Sequence, residues 1–410
     1  MKRTTLSLAV GAVFSLAVWA PCSSAADTPY LEDHEETGSF AITHERTPAP
    51  HTAGKPLALD LGGVSLQFGG FAQADWIYDA DYVGNDSQFK VNSIAVPPNP
   101  NADLGGNSNL QAKATRFTAD LRSTEGLSSG LRAYVEGDFF GSGGDFRLRH
   151  GYGEYRGLLA GQTWTTFQDI SARPLTLDYE GPDAEIFVRQ AMIRYTDKPS
   201  DGLQWSVAIE DSESQVDLLG NEPGSGRSEL PDLTGNVRLM GNNAHLQLSG
   251  LLRQISYETA AGGADDTIGG WGLSLSGRKE FGSTSLMGQL AYGSGMGRYI
   301  ESFGGTNSDA VLRPDGNLEA LDAVAAVAGV QQKWNSRLSS TLAGSFAEID
   351  NNPNQAAVAI QRAFSLHTNL IYTLGQFQAG VELMWGEREN SDGSTGDATR
   401  IQTTIRYRFR

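Results

Sequence analysis

The sequence predicts an all-β fold, a transmembrane antiparallel β-barrel of about 16 strands. Three observations predict it. The chain opens on an export signal that also holds its single cysteine. Apolar and polar residues then alternate with period two through segment after segment. The segments are joined by connections that are short and long in turn, as in outer-membrane barrels, whose short turns face the periplasm.

Lys2 and Arg3 precede the apolar run LSLAVGAVFSLAVWA, and small residues follow at Ser23, Ser24, Ala25 and Ala26. Charged start, apolar middle and small-residue exit define a secretory signal over residues 1–26. The run is about fifteen residues long, short of the ~20 that a spanning helix needs. Cleavage removes Cys22, so the mature chain can form neither a disulfide nor a thiolate metal site. It also removes two cations, taking the formal net charge from −17 to −19. Such acidity excludes nucleic acid as the expected partner, because that needs a basic face. Residues 27–60 are rich in Pro, Thr, His and acids, with neither helical stripe nor alternation, and are expected to form a flexible periplasmic arm.

The barrel is expected over residues 61–410. Its alternating segments are 65–78, 111–122, 130–140, 145–156, 157–165, 186–197, 203–210, 232–240, 244–255, 267–278, 284–293, 322–334, 337–348, 362–373, 376–386 and 398–410. A strand points successive side chains to opposite faces. The first segment therefore puts Val64, Leu66, Phe68, Ala72, Ala74, Trp76 and Tyr78 on one face, against Ser65, Gln67, Gln73 and Asp75 on the other. Aromatics at the ends of the apolar face suit the two membrane interfaces. The last segment, RIQTTIRYRFR, sorts Ile401, Thr403, Ile405, Tyr407 and Phe409 from Arg400, Arg406, Arg408 and Arg410. Segment 145–156 is irregular, with His150 and Glu154 on its apolar phase. The short connections include RG, DKPSDG, GNN, EFGS and LGQ; the long ones include 79–110, 166–185, 211–231, 294–321 and 349–361. A soluble β-sandwich or propeller would need a denser Ile, Val and Leu face than these Gly- and Ala-rich segments supply.

The charges are sorted as well. Acids crowd the long loops, among them Asp79, Asp81, Asp86, Asp211, Glu213, Asp217, Glu301, Asp309 and Asp315. Arginines fall on lumenal strand phases instead: Arg116, Arg132, Arg147, Arg149, Arg194, Arg400 and Arg406 are the expected pore-lining, anion-binding residues. A charge facing lipid at mid-depth would cost about 2–4 kcal/mol, which favours the inward phase. Asp120, Glu136 and Asp138 also point inward, as opposing acids. Two readings follow. Rings of arginine select anions, and their forks bind carboxylates bidentately. Arginines on one wall facing acids on an inward loop would instead make a general, weakly selective pore. The third long connection, GQTWTTFQDISARPLTLDYEGPDAE, carries more apolar surface than an exposed loop needs and is expected to fold inward, with Thr163, Trp164, Thr165, Phe167 and Asp169 at the constriction.

The run YVEGDFFGSGGDFRLRHGYGEYRGLLAGQTWTTFQD, followed by RPLTLDYEGP and RQAMIRYT, resembles the DcaP-like family of outer-membrane channels. Residues 64–196 carry the resemblance; the C-terminal half agrees only in its general barrel character. The resemblance implies a homotrimeric porin that passes small anions, dicarboxylates in particular. It implies lumenal positions for Arg147, Arg149 and Arg194, and places Thr163, Trp164 and Thr165 at the start of the constricting loop. Members of the family can carry an N-terminal coiled coil; residues 27–60 have no heptads and contain Pro29, Pro48, Pro50 and Pro56.

Catalysis is not expected. The barrel histidines His150, His245 and His367 stand in no Ser–His spacing that would make a nucleophilic site. A plugged receptor needs a longer chain, while a non-conducting adhesive barrel remains an alternative. DADYVGND lacks the later ligands of a calcium loop. No cofactor or metal is expected; outer-membrane lipid and lipopolysaccharide are the expected surroundings.

Overall fold

The computed structural model describes residues 57–409, apart from 61, 124, 126–128, 220–223 and 260–264. The signal at 1–26, most of the arm and Arg410 lie outside the described residues. Sixteen antiparallel strands form a closed wall. They are β1 (Val64–Asp79), β2 (in two pieces, Asn107–Gln111 and Arg116–Ser123), β3 (Arg132–Asp138), β4 (Arg147–Tyr155), β5 (Leu158–Trp164), β6 (Arg189–Ser200), β7 (Leu203–Glu210) and β8 (Asp232–Gly241). They continue as β9 (Ala244–Thr259), β10 (Asp265–Phe281), β11 (Thr284–Ser294), β12 (Asp322–Lys333), β13 (Leu338–Ile349), β14 (Ile360–Leu374), β15 (Phe377–Asn390) and β16 (Thr395–Phe409). Closure occurs at β1, which pairs with β2 on one side and with β16 on the other. With no edge left open, every wall strand has its backbone groups paired, as lipid requires.

The outer face is apolar. Leu248, Leu275 and Leu290 stand side by side across β9, β10 and β11. Two aromatic girdles flank this band. Trp76, Trp271, Tyr292, Phe364 and Trp385 stand towards the loop ends of their strands, and Tyr195, Phe281, Trp334, Phe377 and Tyr407 towards the short turns.

The observed strands follow the expected segments closely, with three differences. Leu57–Asp60, expected within the flexible arm, is a strand paired with Ser65–Phe68 of β1. It lies below the point where Phe409 pairs with Gly70, so it continues the line of β16. The hairpins β9–β10 and β15–β16 run on to Thr259 and Asn390. Their upper ends are polar and lack the alternation that marks a lipid-facing strand. The third difference is a β-bulge in β4. Glu136 pairs with His150, but Gly137 pairs with Leu148, leaving Arg149 as the extra residue. The bulge reverses the inward phase within the strand. Arg149, His150 and Tyr152 are all buried inside, which explains the irregular position of His150 in the sequence.

Replacement of Leu248 by arginine puts a charge on the lipid face at mid-barrel. We expect a loss of about 2–4 kcal/mol in urea unfolding from lipid vesicles; an unchanged midpoint would contradict the inward and outward assignment.

Candidate functional site

The lumen has two unlike walls. On β11–β15 the inward side chains are mostly small, among them Ala291, Ala323, Ala325, Ala343, Ser345, Ala363 and Ser365. On β2–β4 and β6 many are long and charged, among them Arg116, Arg132, Glu136, Arg149 and Arg194. The loops fill the side that has room. Loop 3 (165–188) turns inward and packs along the small-residue wall. Pro174 sits over Gly329 and Leu177 over Gly380; a Cβ at either glycine would stand 2.8 Å and 2.9 Å from them. Loop 1 (80–106) and loop 6 (295–321) join it. Phe89, Val91 and Ile94 from loop 1, Phe167 and Ile186 from loop 3, and Tyr299, Ile300 and Phe303 from loop 6 form one buried apolar cluster. Inward folding of loop 3 matches the expectation, while that of loops 1 and 6 carries no periodic signal in the sequence.

Polar ties fix loop 3. Asp169 accepts from Arg238 of β8 (2.7 Å) and Ser276 of β10 (2.9 Å), and meets His245 Nε2 of β9 at 2.8 Å. Burial pushes the Asp169 carboxyl up, but His245 and Arg238 more than offset it and hold it below the usual range. Glu382 accepts the Leu177 amide at 2.6 Å. Ser365 and Ser345 accept the amides of Asp183 and Ala184. Lys90 of loop 1 pairs with both Glu180 of loop 3 and Glu301 of loop 6. Burial and the neighbouring Glu180 push the Glu301 carboxyl well up. Burial also raises Asp183 and Glu185, each to about 7, against the opposing pull of the Val91 amide and of Arg173 respectively.

The expected constriction residues are therefore brought together, but mostly as supports. Thr163 bonds His150 Nδ1 (3.0 Å), and Thr165 and Phe167 are buried. Phe167 packs edge-on against Tyr299. Trp164 is flanked by His150 and Phe187 and carries Arg189 over its ring at 4.4 Å.

The expected arginines all point inward, and most are paired. Arg132 forks onto Asp120 with two contacts of 2.9 Å, and Arg147 onto Asp138 likewise. Arg149 bridges Glu136 (2.9 Å) and Asp138 (3.1 Å), and Arg116 meets Glu136 at 3.2 Å. Asp120, Glu136 and Asp138 are thus neighbours on the arginine wall rather than acids opposing it across the lumen. Arg400 is inward but 0% exposed, sealed onto Asp79 (2.5 and 2.9 Å) and the Asn85 carbonyl. It anchors loop 1 and does not line an open passage. Arg406 binds Gln73 (2.7 Å) and the Tyr179 hydroxyl (2.5 Å), and so ties loop 3 to β16. Asp79 and Asp309, expected on the outside, are buried against Arg400 and Arg253, and Glu301 is half-buried against Lys90.

Two cations stand apart. Arg194 and Arg189 make no ion pair among the described residues, and each keeps a buried nitrogen without a hydrogen-bond partner. Arg189 lies in the field of Arg116, Arg147, Arg149 and Asp138. Arg116, Arg147 and Arg149 share two acids, Glu136 and Asp138, and Arg189 stands beside them. Sequence phase misses Arg189, because it is out of step with Arg194. It stands where β6 leaves loop 3, opposite Trp164 in the sheet.

A closed wall between two aromatic girdles, narrowed by inward loops beside a charged face, defines an outer-membrane channel of the porin type. The chain belongs to the DcaP outer membrane protein family, whose model matches residues 43–409. Its location is accordingly the outer membrane of a Gram-negative bacterium. The crystal structure of the outer membrane channel DcaP of Acinetobacter baumannii is 25% identical and superposes with a TM-score of 0.75, covering 87% of this chain and 100% of that one. The anion-selective porin of Comamonas acidovorans (14% identity, TM-score 0.53, 84% and 100% covered) shares the fold. So does the trimer form of OmpT of Vibrio cholerae (11%, 0.55, 85% and 100%). No curated protein matches the sequence.

Two outcomes are expected of loop 3. Asp169→Asn should lower the opening free energy of residues 166–188 by about 2 kcal/mol in hydrogen exchange. Carboxyls with raised folded pKa values hold protons that the free chain releases. The stability from Asp183 and Glu185 is therefore full below about pH 4 and is lost as pH rises through about 7. Loop 3 amides, corrected for intrinsic rate, should be less protected at pH 8.5 than at pH 5.5.

Proposed function

We propose that this channel admits small organic anions, dicarboxylates in particular, through the passage between the β2–β6 wall and loop 3. One observation carries the reading. Arg116, Arg147 and Arg149 share two carboxylates, and Arg189, stacked on Trp164, makes no ion pair among the described residues. A guanidinium stays charged at any relevant pH and offers a planar fork to a carboxylate. A dianion can therefore complete two forks at once. It replaces in part the water that the arginines give up, and it gains charge-assisted bonds of about 1.5–3 kcal/mol each. The paired ladder, Arg132 with Asp120 and Arg147 with Asp138, supports a second reading, a general and weakly selective porin.

The channel would work as a homotrimer, as the trimer form of OmpT suggests, embedded in lipid and lipopolysaccharide. Residues 1–26 would be removed on export, and the arm up to Asp60 would lie in the periplasm.

Bilayer reconstitution under a salt gradient tests the reading. We expect a reversal potential showing anion preference, with current block by succinate or phthalate. Glu136→Gln and Asp138→Asn should each strengthen the preference, since each frees an arginine. Arg189→Gln should weaken diacid block about tenfold, roughly 1.4 kcal/mol. Cation preference without block would overturn the anion reading and leave the general pore.

A further inference from the structure

A second cationic site lies outside the passage. Loop 1 between Tyr82 and Asn101 lines, with Val358 from the connection between β13 and β14 and the upper end of β15, a half-open cavity of about 610 Å³. That volume lies within the range of small-molecule pockets. Arg388 is the one charged residue in its lining. Its Nε donates to Asn390 Oδ1 (2.9 Å), Nη1 to the Asn92 carbonyl (2.6 Å) and Nη2 to the Val358 carbonyl (2.8 Å). All three acceptors are neutral, and Arg388 makes no ion pair among the described residues. A guanidinium has five N–H groups, so each terminal nitrogen keeps one to spare. Most other strand arginines described above are balanced by a carboxylate.

The rest of the lining is apolar or weakly polar. Ile94, Val96, Pro98 and Val358 supply a surface for a hydrocarbon body, and Asn99 and Asn101 supply side-chain amides. The cavity is held open by its own loop. Ile94 is anchored in the buried cluster below. Ser93 Oγ ties to the carbonyls of Val83 (2.6 Å) and Lys90 (2.7 Å). A pocket braced by its own loop needs little ordering on binding, which lowers the cost of capture.

We propose that this cavity binds a small organic monoanion, one carboxylate on an apolar body, at the outer rim of the channel. The carboxylate takes the two spare N–H groups of Arg388, and the body lies against Val96, Pro98 and Val358. The single cation distinguishes this site from the clustered arginines of the passage, which suit dianions. The inference does not depend on the anion preference of the passage, and the two can fail separately.

Benzoate is the probe, titrated by saturation-transfer NMR into the purified full-length mature channel in a non-ionic detergent, with benzyl alcohol as the uncharged control. Arg388→Gln should weaken benzoate binding at least tenfold, while Arg189→Gln should leave it unchanged. Val358→Trp, at a side chain 57% exposed on the cavity wall, should weaken it by filling the space. It covers the case in which Arg388→Gln fails the heat-modifiable mobility test for a folded barrel. Benzoate that binds both cavity variants as it binds the parent overturns the proposal, as does equal binding of benzyl alcohol. Loss confined to Arg189→Gln would also overturn it, and would place benzoate in the passage.

Discussion

The interior of this barrel depends on an inequality of side-chain size between its two walls. Lipid fixes only the outer face and the closure of the sheet. The inward face is free to vary, and here much of it on β11–β14 is alanine, serine and glycine. Those residues leave a recess, and loops 1, 3 and 6 bury their aromatic and aliphatic residues in it. The inward loops thereby face the opposite wall, where Arg116, Arg149 and Arg194 are buried and Arg132 and Arg147 half-buried. A large residue at Gly329 or Gly380 would evict Pro174 or Leu177 and move the constriction.

Charge on that wall is balanced locally and incompletely. Carboxylates next to the arginines hold the guanidinium planes in place, as Asp120 does for Arg132 and Asp138 for Arg147. Such pairs supply orientation more than stability, because desolvation offsets much of their attraction. Arg189 and Arg194 stand outside these pairs, in a chain of formal charge −17. Many of its acids are consumed where they meet an arginine or lysine, and others remain on the outer loops.

The wall was legible in the sequence because lipid imposes period two on every strand. Strand positions, inward phases and the inward third loop could all be read from residue pattern alone. What escaped was whatever the membrane does not touch. Loop 1 folds inward through Phe89 and Val91, which have no period to mark them. The bulge at Arg149 needs one unpaired backbone position and leaves only the misfit of His150 and Glu154 as a trace. Arg189 falls out of phase with Arg194, so alternation pointed away from it. Pairing was also hidden: an arginine and an acid on the same phase of adjacent strands look alike whether they touch or face each other across water.

The C-terminal strand unites closure with constriction. β16 meets β1 at the seam, and the same two strands carry Arg400 with Asp79 and Arg406 with Gln73. Arg400 reaches on to the Asn85 carbonyl in loop 1, and Arg406 to the Tyr179 hydroxyl in loop 3. Neither loop can find these partners until the last strand has paired with the first. Four arginines at the end of an acidic chain thus have a structural use separate from conduction. Arg400 and Arg406 fasten loops 1 and 3 to the wall, on the two strands whose pairing closes the barrel.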